Sequence, residues 1–393
     1  MKVLVLGMGL QGKAVVHDLE QSTLVTDILV ADLNPDRVQA WLDQRGYTKS
    51  RGVGLNAADS DQLERHVAQS GARIVVCMLP PDFGYRVAQV ALKNGIHFVS
   101  SSYTGRLAEL DAAARNRNVT ILPEMGMDPG IDLVLARLAI DELDTVEGLY
   151  SYGGGLPEPA YAGDNPLMYK ITWTFDGVLK AYKRPARILR AGETIDIPGE
   201  HIFREEHGHT ISVRGIGSLE AYPNGDAIHY IDVFQLGSAI TDMGRFALRY
   251  PGHRCFWRTM AELGFLDDQP LGDTLNLSPR RFLVEHLTPR LQFKSHERDM
   301  VIVRIRAWGV KDGKKRTVTY DLIDYRDLEH GFFAMNRTVG FTTSIGAHLI
   351  LDGTIRTPGV LSPTRHVPPR RLLDELKKRG MHIEHRVEFT EVA

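Results

Sequence analysis

The sequence is poor in cysteine, and this scarcity argues against a disulfide-stabilised secreted protein. Only Cys77 and Cys255 occur among 393 residues, and they lie far apart in different predicted regions. Such a pair is typical of a reducing cytoplasm, and we expect both thiols to pack as small apolar groups. The sequence therefore predicts a cytoplasmic protein.

Long apolar runs and a strong net charge are also missing. No run reaches the roughly 18 residues that span a bilayer, and the chain begins with a strand, so we expect no signal peptide. A net charge of −2 favours neither a nucleic-acid partner nor an anionic membrane. With 43% hydrophobic and 24% charged residues, the composition is that of an ordinary globular protein. The length allows two domains.

A glycine-rich turn near the start carries the most specific signal. Gly7-Met8-Gly9-Leu10-Gln11-Gly12 follows the apolar residues 3–6 and opens a helical segment. In a G-x-G-x-x-G turn, the first glycine allows the tight turn and the second lets backbone approach phosphates. The third lets helix and strand pack closely, and the free N–H groups of the helix face the negative charge. The pattern predicts a dinucleotide site, although a glycine-rich turn alone also has purely structural uses.

The spacing after this turn supports the dinucleotide site. A second apolar run, residues 28–31, ends in Asp32, twenty residues after Gly12. A carboxylate there accepts hydrogen bonds from both hydroxyls of an adenosine ribose and repels a 2′-phosphate. We therefore predict NAD as the cofactor rather than NADP. Arg37 lies a few residues further on and keeps NADP open.

Residues 1 to about 125 alternate strand-like and helix-like segments. The predicted strands are 3–6, 28–31, 74–79, 97–101 and 119–122. The predicted helices are 11–20, 35–45, 61–69, 83–93 and 106–116. Near-continuous apolar strands between amphipathic helices indicate a parallel sheet covered on both faces. The pattern predicts an α/β Rossmann-type dinucleotide-binding domain over residues 1–128.

The region from residue 130 to about 343 has a different character. We predict a helix from Pro129, a favourable first-turn residue, to residue 143. The predicted strands that follow are 149–152, 169–174, 211–214, 228–234, 301–310 and 316–323. Lys311-Asp312-Gly313-Lys314 indicates a β-hairpin with an Asp-Gly turn. These features predict an α+β substrate domain over 129–343 with a mainly antiparallel sheet. Helices are also predicted at 344–352 and 368–379, and periodicity does not assign them to a domain.

Three segments that follow predicted strands should face a substrate cleft, because ligands of such sheets bind beside the carboxyl ends of the strands. The first is Met78-Leu79-Pro80-Pro81, and the second, Ser100-Ser101-Ser102-Tyr103, offers hydroxyls for ribose or a substrate carboxylate. The third, residues 124–130, contains Glu124 and Asp128. We predict that Asp128 is the N-cap of the following helix, and a second role at the substrate amine stays open. The residues predicted to bind cofactor are Gly7, Met8, Gly9, Leu10, Gln11, Gly12, Asp32, Leu33, Met78, Leu79, Pro80 and Ser101.

The same segments resemble a known family. Residues 123–132, with the sequence Pro-Glu-Met-Gly-Met-Asp-Pro-Gly-Ile-Asp, resemble the E-x-G-x-D-P-G-I-D segment of saccharopine dehydrogenases. Gly154-Gly155-Leu156-Pro157, Asn165-Pro166-Leu167 and Tyr169-Lys170 resemble their G-G-L-P … N-P-L-x-Y-K segment. The similarity covers most of the chain in order, so the chain is identified as a member of this family. The resemblance implies that residues 344–393 form C-terminal helices that return to the first domain.

Within the family, the nearest resemblance is to the glutamate-forming branch, which interconverts saccharopine with glutamate and 2-aminoadipate 6-semialdehyde. The resemblance implies hydride transfer to a nicotinamide from the carbon of a C–N bond, followed by hydrolysis of the imine. It also implies substrate contacts from Ser102, Tyr103, Asp128, and Arg245 or Arg249. Those enzymes carry an arginine after a Y-P-N segment, where this chain has Gly225, so the substrate itself stays open.

This chemistry requires a base near the amine. Asp128 is one candidate, and Lys170 is another if its pKa is lowered by burial or neighbouring cations. Lys170 is alternatively an ordinary surface lysine of a strand. Tyr103 is expected to orient the amine, relay a proton or pack against the nicotinamide. Lysine 6-dehydrogenase or another NAD-dependent amine dehydrogenase is the second functional hypothesis, and a nucleotide-sensing protein is the third.

We predict no metal site. The densest group of possible ligands comprises His201, Glu205, Glu206, His207 and His209. Because a zinc site brings three or four ligands together in a closed geometry, we interpret this polar stretch as a solvated loop. The expected partners are a small amino-acid-derived substrate and a second copy of the chain in a homodimer.

Overall fold

The computed structural model describes residues 1–272 and 276–390, which divide into two units. Unit 1 comprises residues 1–134 and 336–381, and unit 2 comprises residues 135–335 together with the chain from residue 382. The chain passes out of unit 1 within one helix, Ile131–Asp141, and returns within another, Ala334–Asn336. Among the described residues, no helix combines the length and apolarity that a bilayer crossing requires.

Unit 1 is built on a parallel sheet. Its described strands are β1 (Lys2–Leu6), β2 (Asp27–Asp32), β3 (Ser50–Gly54), β4 (Ile74–Cys77), β5 (His97–Ser100), β6 (Thr120–Leu122) and β15 (Gly359–Val360). Their order is β15-β6-β5-β4-β1-β2-β3, and every neighbouring pair is parallel. Successive strands are added on one side of β1 up to β3 and then on its other side from β4. The carboxyl ends of β1 and β4 therefore flank the topological switch point, where ligands of such sheets bind.

Helices cover this sheet. They are α1 (Leu10–Glu20), α2 (Pro35–Gln44), α3 (Ser60–Gln69), α4 (Pro81–Lys93), α5 (Asp111–Asn116), α13 (Thr342–Leu351), α14 (Pro363–His366) and α15 (Pro369–Lys378). The five helices predicted before residue 120 are present, the last as a 3-10 turn that leads into α5. A π-helical turn, Arg337–Phe341, precedes α13. Asn34 and Asp59 cap α2 and α3 with their side chains, which fixes where these helices begin.

Unit 2 contains a larger mixed sheet. Its described strands are β7 (Thr145–Pro157), β8 (Ala186–Arg190), β9 (Glu193–Ile197), β10 (His209–Val213), β11 (Gly217–Pro223), β12 (Asp242–Arg249), β13 (Asp299–Lys311), β14 (Lys314–Tyr325) and β16 (Ile383–Thr390). The main order is β10-β11-β12-β7-β13-β14-β16, and β8 joins β9 to β12. β12 and β7 are parallel, and the other described pairs are antiparallel. The predicted α+β fold with a mainly antiparallel sheet is confirmed.

The predicted hairpin at residues 311–314 is present. Lys311 pairs with Lys314, and Asp312 and Gly313 between them have φ values of 50° and 74°. Positive φ at both central residues is the requirement of the tight turns that match the twist of a hairpin. The described helices of unit 2 are α7 (Pro159–Ala162), α8 (Phe175–Ala181), α9 (His229–Phe234), α10 (His253–Glu262) and α11 (Pro279–Leu287), and unit 2 shares α6 (Ile131–Asp141) and α12 (Ala334–Asn336) with unit 1.

Three predictions of local structure are wrong. Residues 169–174 form no strand, because Tyr169 and Ile171 enter an aromatic core from an irregular segment. The predicted strand 228–234 is instead the helix α9 (His229–Phe234), whose buried Tyr230 and Phe234 have helical spacing. The final segment, for which C-terminal helices were expected, ends in β16, an edge strand of the unit 2 sheet.

Candidate active site

The glycine turn at the start of unit 1 has the geometry of a phosphate-binding turn. Gly7 has a φ of 94°, and a Cβ at residue 12 would lie 2.1 Å from the carbonyl oxygen of Gly7. Glycine is therefore required at both positions for the turn to close against α1. At Gly9, by contrast, no atom of the described residues outside the adjoining chain lies within 4 Å of the Cβ position, and none of their side chains caps the start of α1. This open space in front of uncapped N–H groups fits a dinucleotide pyrophosphate.

Asp32 is held beside the turn. One carboxylate oxygen, Oδ2, accepts a hydrogen bond from the Met8 N–H at 2.7 Å, and Oδ1 accepts one from the Asn34 N–H at 3.3 Å. The side chain is half-buried at the end of β2, and the Leu33 side chain that follows is 74% exposed. Asp32 thus presents a fixed negative charge where a ribose is expected.

Three cations gather on the adjoining surfaces of α1 and α2. Burial lowers the pKa of Lys13, and the charges of Arg37 and Arg45 lower it further. The Lys13 ammonium lies 5.4 Å from the ring centre of Trp41, and the Arg45 guanidinium lies 5.1 Å from it. Lys13 directly follows Gly12, and Arg37 lies shortly after Asp32 in the sequence. Positive charge is therefore concentrated close to the predicted nucleotide site.

The segment after β4 packs against the turn, as the strand order requires. The carbonyl oxygen of Met78 lies 2.9 Å from the Cβ position of Gly7, and its Cβ lies 3.7 Å from that of Gly12. Leu79 is half-buried and Pro80 is exposed immediately before α4. The structure thus brings together Met78 and two glycines that were all predicted to bind cofactor.

The segments after β5 and β6 are joined by backbone hydrogen bonds. The Met125 N–H donates to the Ser100 carbonyl, and the Glu124 N–H donates to the Ser102 carbonyl, each at 2.9 Å. Ser101 packs against Gly126, whose Cβ position lies 3.1 Å from its Cβ. Tyr103 at the end of this run is 41% exposed. Ser101 and Ser102 therefore lie directly beside the segment that carries Asp128.

The predicted N-cap role of Asp128 is wrong. Helix α6 begins at Ile131 rather than at Pro129, and the Gly130 N–H donates to the carboxylate of Asp132 at 2.8 Å. Asp128 is half-buried in the loop before the helix and precedes a cis peptide bond to Pro129.

Arg249 in unit 2 is a buried cation in an aromatic shell. Its guanidinium donates to the Tyr182 hydroxyl at 3.3 Å and to the Leu248 carbonyl at 2.7 Å, and it lies 5.4 Å from the ring centre of Tyr169. Across residues 1–272 and 276–390, no carboxylate forms an ion pair with it. Within the same range, the buried Tyr169 hydroxyl makes no hydrogen bond. Burial and the Arg249 charge hold the pKa of His253 far below its usual range, so His253 is neutral.

Arg245, the other arginine that the resemblance suggested, is also buried in unit 2. Its guanidinium lies 4.6 Å from the ring centre of Tyr230, and its carbonyl accepts the Asn224 N–H at 2.8 Å. Gly225, next along the chain, has a φ of 75°, a conformation that favours glycine, and its Cβ position lies 3.8 Å from the Arg184 side chain.

Lys170 is not the surface strand lysine that was considered. Its ammonium is buried and forms ion pairs with Glu297 at 2.7 Å and Asp164 at 2.9 Å. Burial lowers its pKa, but the hydrogen bonds to Glu297 and Asp164 outweigh this effect and raise the pKa above its ordinary value. The lowered pKa that a general base requires is therefore not found.

The remaining predictions concern metal ligands and thiols. In the part of the chain that the structure describes, no three His, Cys, Asp or Glu side chains are placed to hold a metal ion. Both cysteines are free: Cys77 is buried as expected, and burial raises its thiol pKa to about 11. Cys255 is exposed, so the expectation that both thiols are packed inside is wrong for this residue.

Several neighbours of these residues carried no local signal in the sequence. Tyr182, directly after α8, contacts both Arg249 and His253 of α10 through its hydroxyl, and Glu297 reaches Lys170 from a distant loop. Glu124 was noticed only as a carboxylate near Asp128. Its partners follow from strand order, which places the ends of β5 and β6 side by side.

Family models match both parts of the chain. Residues 3–122 match the model described as the saccharopine dehydrogenase NADP binding domain, and residues 126–381 match the saccharopine dehydrogenase C-terminal domain. The first model covers the part of the chain that forms β1 to β6, and the second covers the part from α6 to α15. The second match alone covers more than half of the sequence.

Individual relatives agree with these matches. The NADP+-dependent, L-glutamate-forming saccharopine dehydrogenase of Schizosaccharomyces pombe is 27% identical, with 98% of each chain covered. Alpha-aminoadipic semialdehyde synthase of Rattus norvegicus is also 27% identical, and this chain spans 47% of its length. The solved apo structure of the L-Glu-forming enzyme of Saccharomyces cerevisiae aligns with a TM-score of 0.85 at 25% identity, covering 98% of this chain and 99% of that one. The chain belongs to the saccharopine dehydrogenase family.

Proposed function

We propose that this protein is a nicotinamide-dependent saccharopine dehydrogenase that forms L-glutamate. The substrate is a secondary amine, and its oxidation releases glutamate and 2-aminoadipate 6-semialdehyde. One observation carries the redox part of the proposal: the glycine turn leaves open space at Gly9, whereas a Cβ at Gly12 would collide with backbone. The yeast relatives that match over their full length support the substrate class.

The reaction conserves atoms and electrons in two stages. A nicotinamide held at the glycine turn would supply the hydride acceptor. The substrate C–H bond would give up its electron pair as hydride while the amine nitrogen loses a proton. Water then adds to the resulting imine, and cleavage of the C–N bond yields the amine of glutamate and an aldehyde. Asp128 is proposed to accept the proton, because it is a half-buried carboxylate in the segment that packs against Ser101 after β5.

Tyr103 is proposed to orient the amine and Ser102 to contact substrate. Lys170 is not given the role of base, since the ion pairs with Glu297 and Asp164 favour its protonated form. We propose instead that this buried cation helps to shape the substrate domain.

Arg249 is proposed to bind a carboxylate of the substrate. A buried guanidinium without an ion-pair partner in the described part of the chain is costly, and a carboxylate ligand would compensate for its desolvation. Arg249→Lys should raise KM for the amino-acid substrate at least about tenfold, because a lysine cannot reproduce a bidentate contact. Arg245 is a second candidate for a carboxylate contact.

The preference between NAD and NADP depends on opposing charges. The family model and the fungal relatives support NADP, and the cations Lys13 and Arg37 favour an additional phosphate. The fixed carboxylate of Asp32 opposes a 2′-phosphate, and the exposed Leu33 offers no compensating charge. We propose that both dinucleotides bind and that NAD binds more tightly. Asp32→Asn should narrow this difference, as measured by fluorescence titration with NADH and NADPH.

Absorbance at 340 nm tests the function. Purified protein is given NAD+ or NADP+ together with saccharopine or with lysine. The proposal expects reduced dinucleotide with saccharopine and not with lysine. Turnover of lysine alone would favour lysine 6-dehydrogenase, and binding of NADH without turnover of either amine would favour a nucleotide sensor.

The proposal also includes a cytoplasmic location and a homodimer. Light scattering coupled to size-exclusion chromatography measures the second of these. A mass of one chain at micromolar concentration would contradict the dimer.

A further inference from the structure

Glu124 has an uncommon backbone conformation. Its φ is 62°, in the left-handed region that residues other than glycine rarely adopt, and its side chain is buried. Backbone strain of this kind is retained where the surroundings fix it, and it concentrates at functional sites. The strained backbone of Glu124 must therefore be stabilised by contacts with other residues.

Two hydrogen bonds of Glu124 provide such contacts. Its N–H donates to the carbonyl of Ser102 at 2.9 Å, and its carboxylate oxygen Oε1 accepts the N–H of Thr104 at 3.1 Å. One residue thus holds the chain on each side of Tyr103. The main chain of Tyr103 is held from both sides, while the residue as a whole remains 41% exposed.

Glu124 is itself anchored. The next residue, Met125, donates its N–H to the Ser100 carbonyl at 2.9 Å, and its carbonyl accepts the Thr343 hydroxyl at 2.6 Å. Two elements, β5 and α13, therefore hold the peptide beside Glu124. A change at Glu124 would be transmitted to the Ser102–Thr104 segment rather than absorbed by movement of its own loop.

We infer that Glu124 is a positioning residue that sets the orientation of Tyr103 for the reaction. This inference rests on the proposed function, because it assumes that Tyr103 touches the substrate. The left-handed backbone directs the carboxylate of Glu124 back across the preceding loop, and the carboxylate holds Thr104 in place. Glu124 acts through Tyr103 and needs no contact with the substrate.

A double-mutant cycle with Tyr103→Phe tests this coupling. Glu124→Ala removes the acceptor for the Thr104 N–H, and Glu124→Gln retains an oxygen that can accept it. We expect Glu124→Ala to lower kcat about 10- to 100-fold with an unchanged Kd for NADH, since small misplacements have effects of this size. Glu124→Gln should retain most of the activity. In the Tyr103→Phe background, Glu124→Ala should cost less than about twofold, because the two residues act as one unit.

Two further variants serve as controls. Glu124→Gly removes the carboxylate and also relieves the left-handed strain, so it should fold even if Glu124→Ala does not, and it should lose as much kcat. Glu109→Ala removes an exposed glutamate from the adjoining 3-10 turn and should leave kcat unchanged. Full activity of Glu124→Gly would overturn the inference. So would effects of Glu124→Ala and Tyr103→Phe that multiply independently.

Amide hydrogen exchange separates this inference from the proposed function. The Thr104 amide should exchange slowly in the wild-type protein and faster in Glu124→Gly, whatever the substrate. If no amine is turned over, the proposed function fails, and the exchange rate still shows whether Glu124 holds the loop. Equal exchange of Thr104 in both proteins would refute the positioning role.

Discussion

Replacing Gly12 by alanine tests whether the glycine turn is built as the structure indicates. The added Cβ would lie 2.1 Å from the Gly7 carbonyl oxygen and 3.0 Å from its carbonyl carbon, so backbone must move. Overpacking of this kind costs about 3 kcal/mol, and the better helix propensity of alanine offsets about 1 kcal/mol. The net loss of about 2 kcal/mol corresponds to a fall in Tm of roughly 4–8 °C for a unit of this size.

Gly9→Ala is the matched control. In the part of the chain that the structure describes, only the adjoining backbone lies within 4 Å of its Cβ position, and its φ of −68° suits alanine, so the cost should stay below about 1 kcal/mol. The same methyl group would occupy the space proposed for the pyrophosphate. We therefore expect at least about tenfold weaker NADH binding, equivalent to about 1.4 kcal/mol.

Urea unfolding followed by circular dichroism gives the stability of both variants, and fluorescence titration gives their Kd for NADH. The reasoning predicts that Gly12→Ala loses stability and affinity and that Gly9→Ala loses affinity alone. Wild-type affinity in Gly9→Ala would refute the assignment of the turn as the phosphate site. Wild-type stability in Gly12→Ala would refute the close contact with Gly7.

Three further predictions concern stability. Lys170→Met should cost about 3–5 kcal/mol in urea unfolding, because it removes the buried cation 2.7 Å from the buried Glu297 and leaves that carboxylate with the exposed Lys294 at 3.6 Å. Lys294→Met is the exposed control and should cost under about 0.5 kcal/mol; equal losses would contradict this. Arg379→Met should cost about 1–3 kcal/mol, because Arg379 joins α15 to Asp18 through two hydrogen bonds of 2.6 and 2.8 Å, and an unchanged urea midpoint would disprove this. Burial raises the pKa of Asp299 from 3.8 to about 7, so the folded state binds this proton more tightly than the unfolded state does. The free energy of unfolding should therefore fall by up to about 4 kcal/mol between pH 4 and 7. Asp299→Asn should remove this dependence on pH.

Local chemistry made the nucleotide site of unit 1 predictable. Three elements depend on conformations that residues adjacent in the sequence impose. They are the turn from Gly7 to Gly12, the strand that ends in Asp32 and the hairpin at Asp312. Strand order then follows from the rules for parallel sheets. The same reasoning failed at residues 228–234, because a short segment rich in apolar residues suits a strand or a buried helix equally.

Contacts between distant segments were beyond sequence reasoning. The residues near Lys170 in the sequence do not indicate that Glu297 forms an ion pair with it. Without its ion-pair partners, burial would lower the pKa of Lys170. Asp128 resembled an N-cap because a proline follows it, but Asp132 inside the helix takes the Gly130 N–H instead. In both cases competition between partners, rather than residue type, decides the role.

The ratio of products from saccharopine tests the central claim most directly. Mass spectrometry quantifies glutamate, and absorbance quantifies the reduced dinucleotide, in the same reaction. The account predicts one glutamate for each reduced dinucleotide, with both absent when saccharopine is omitted. Reduced dinucleotide without glutamate, or lysine released in its place, would contradict it.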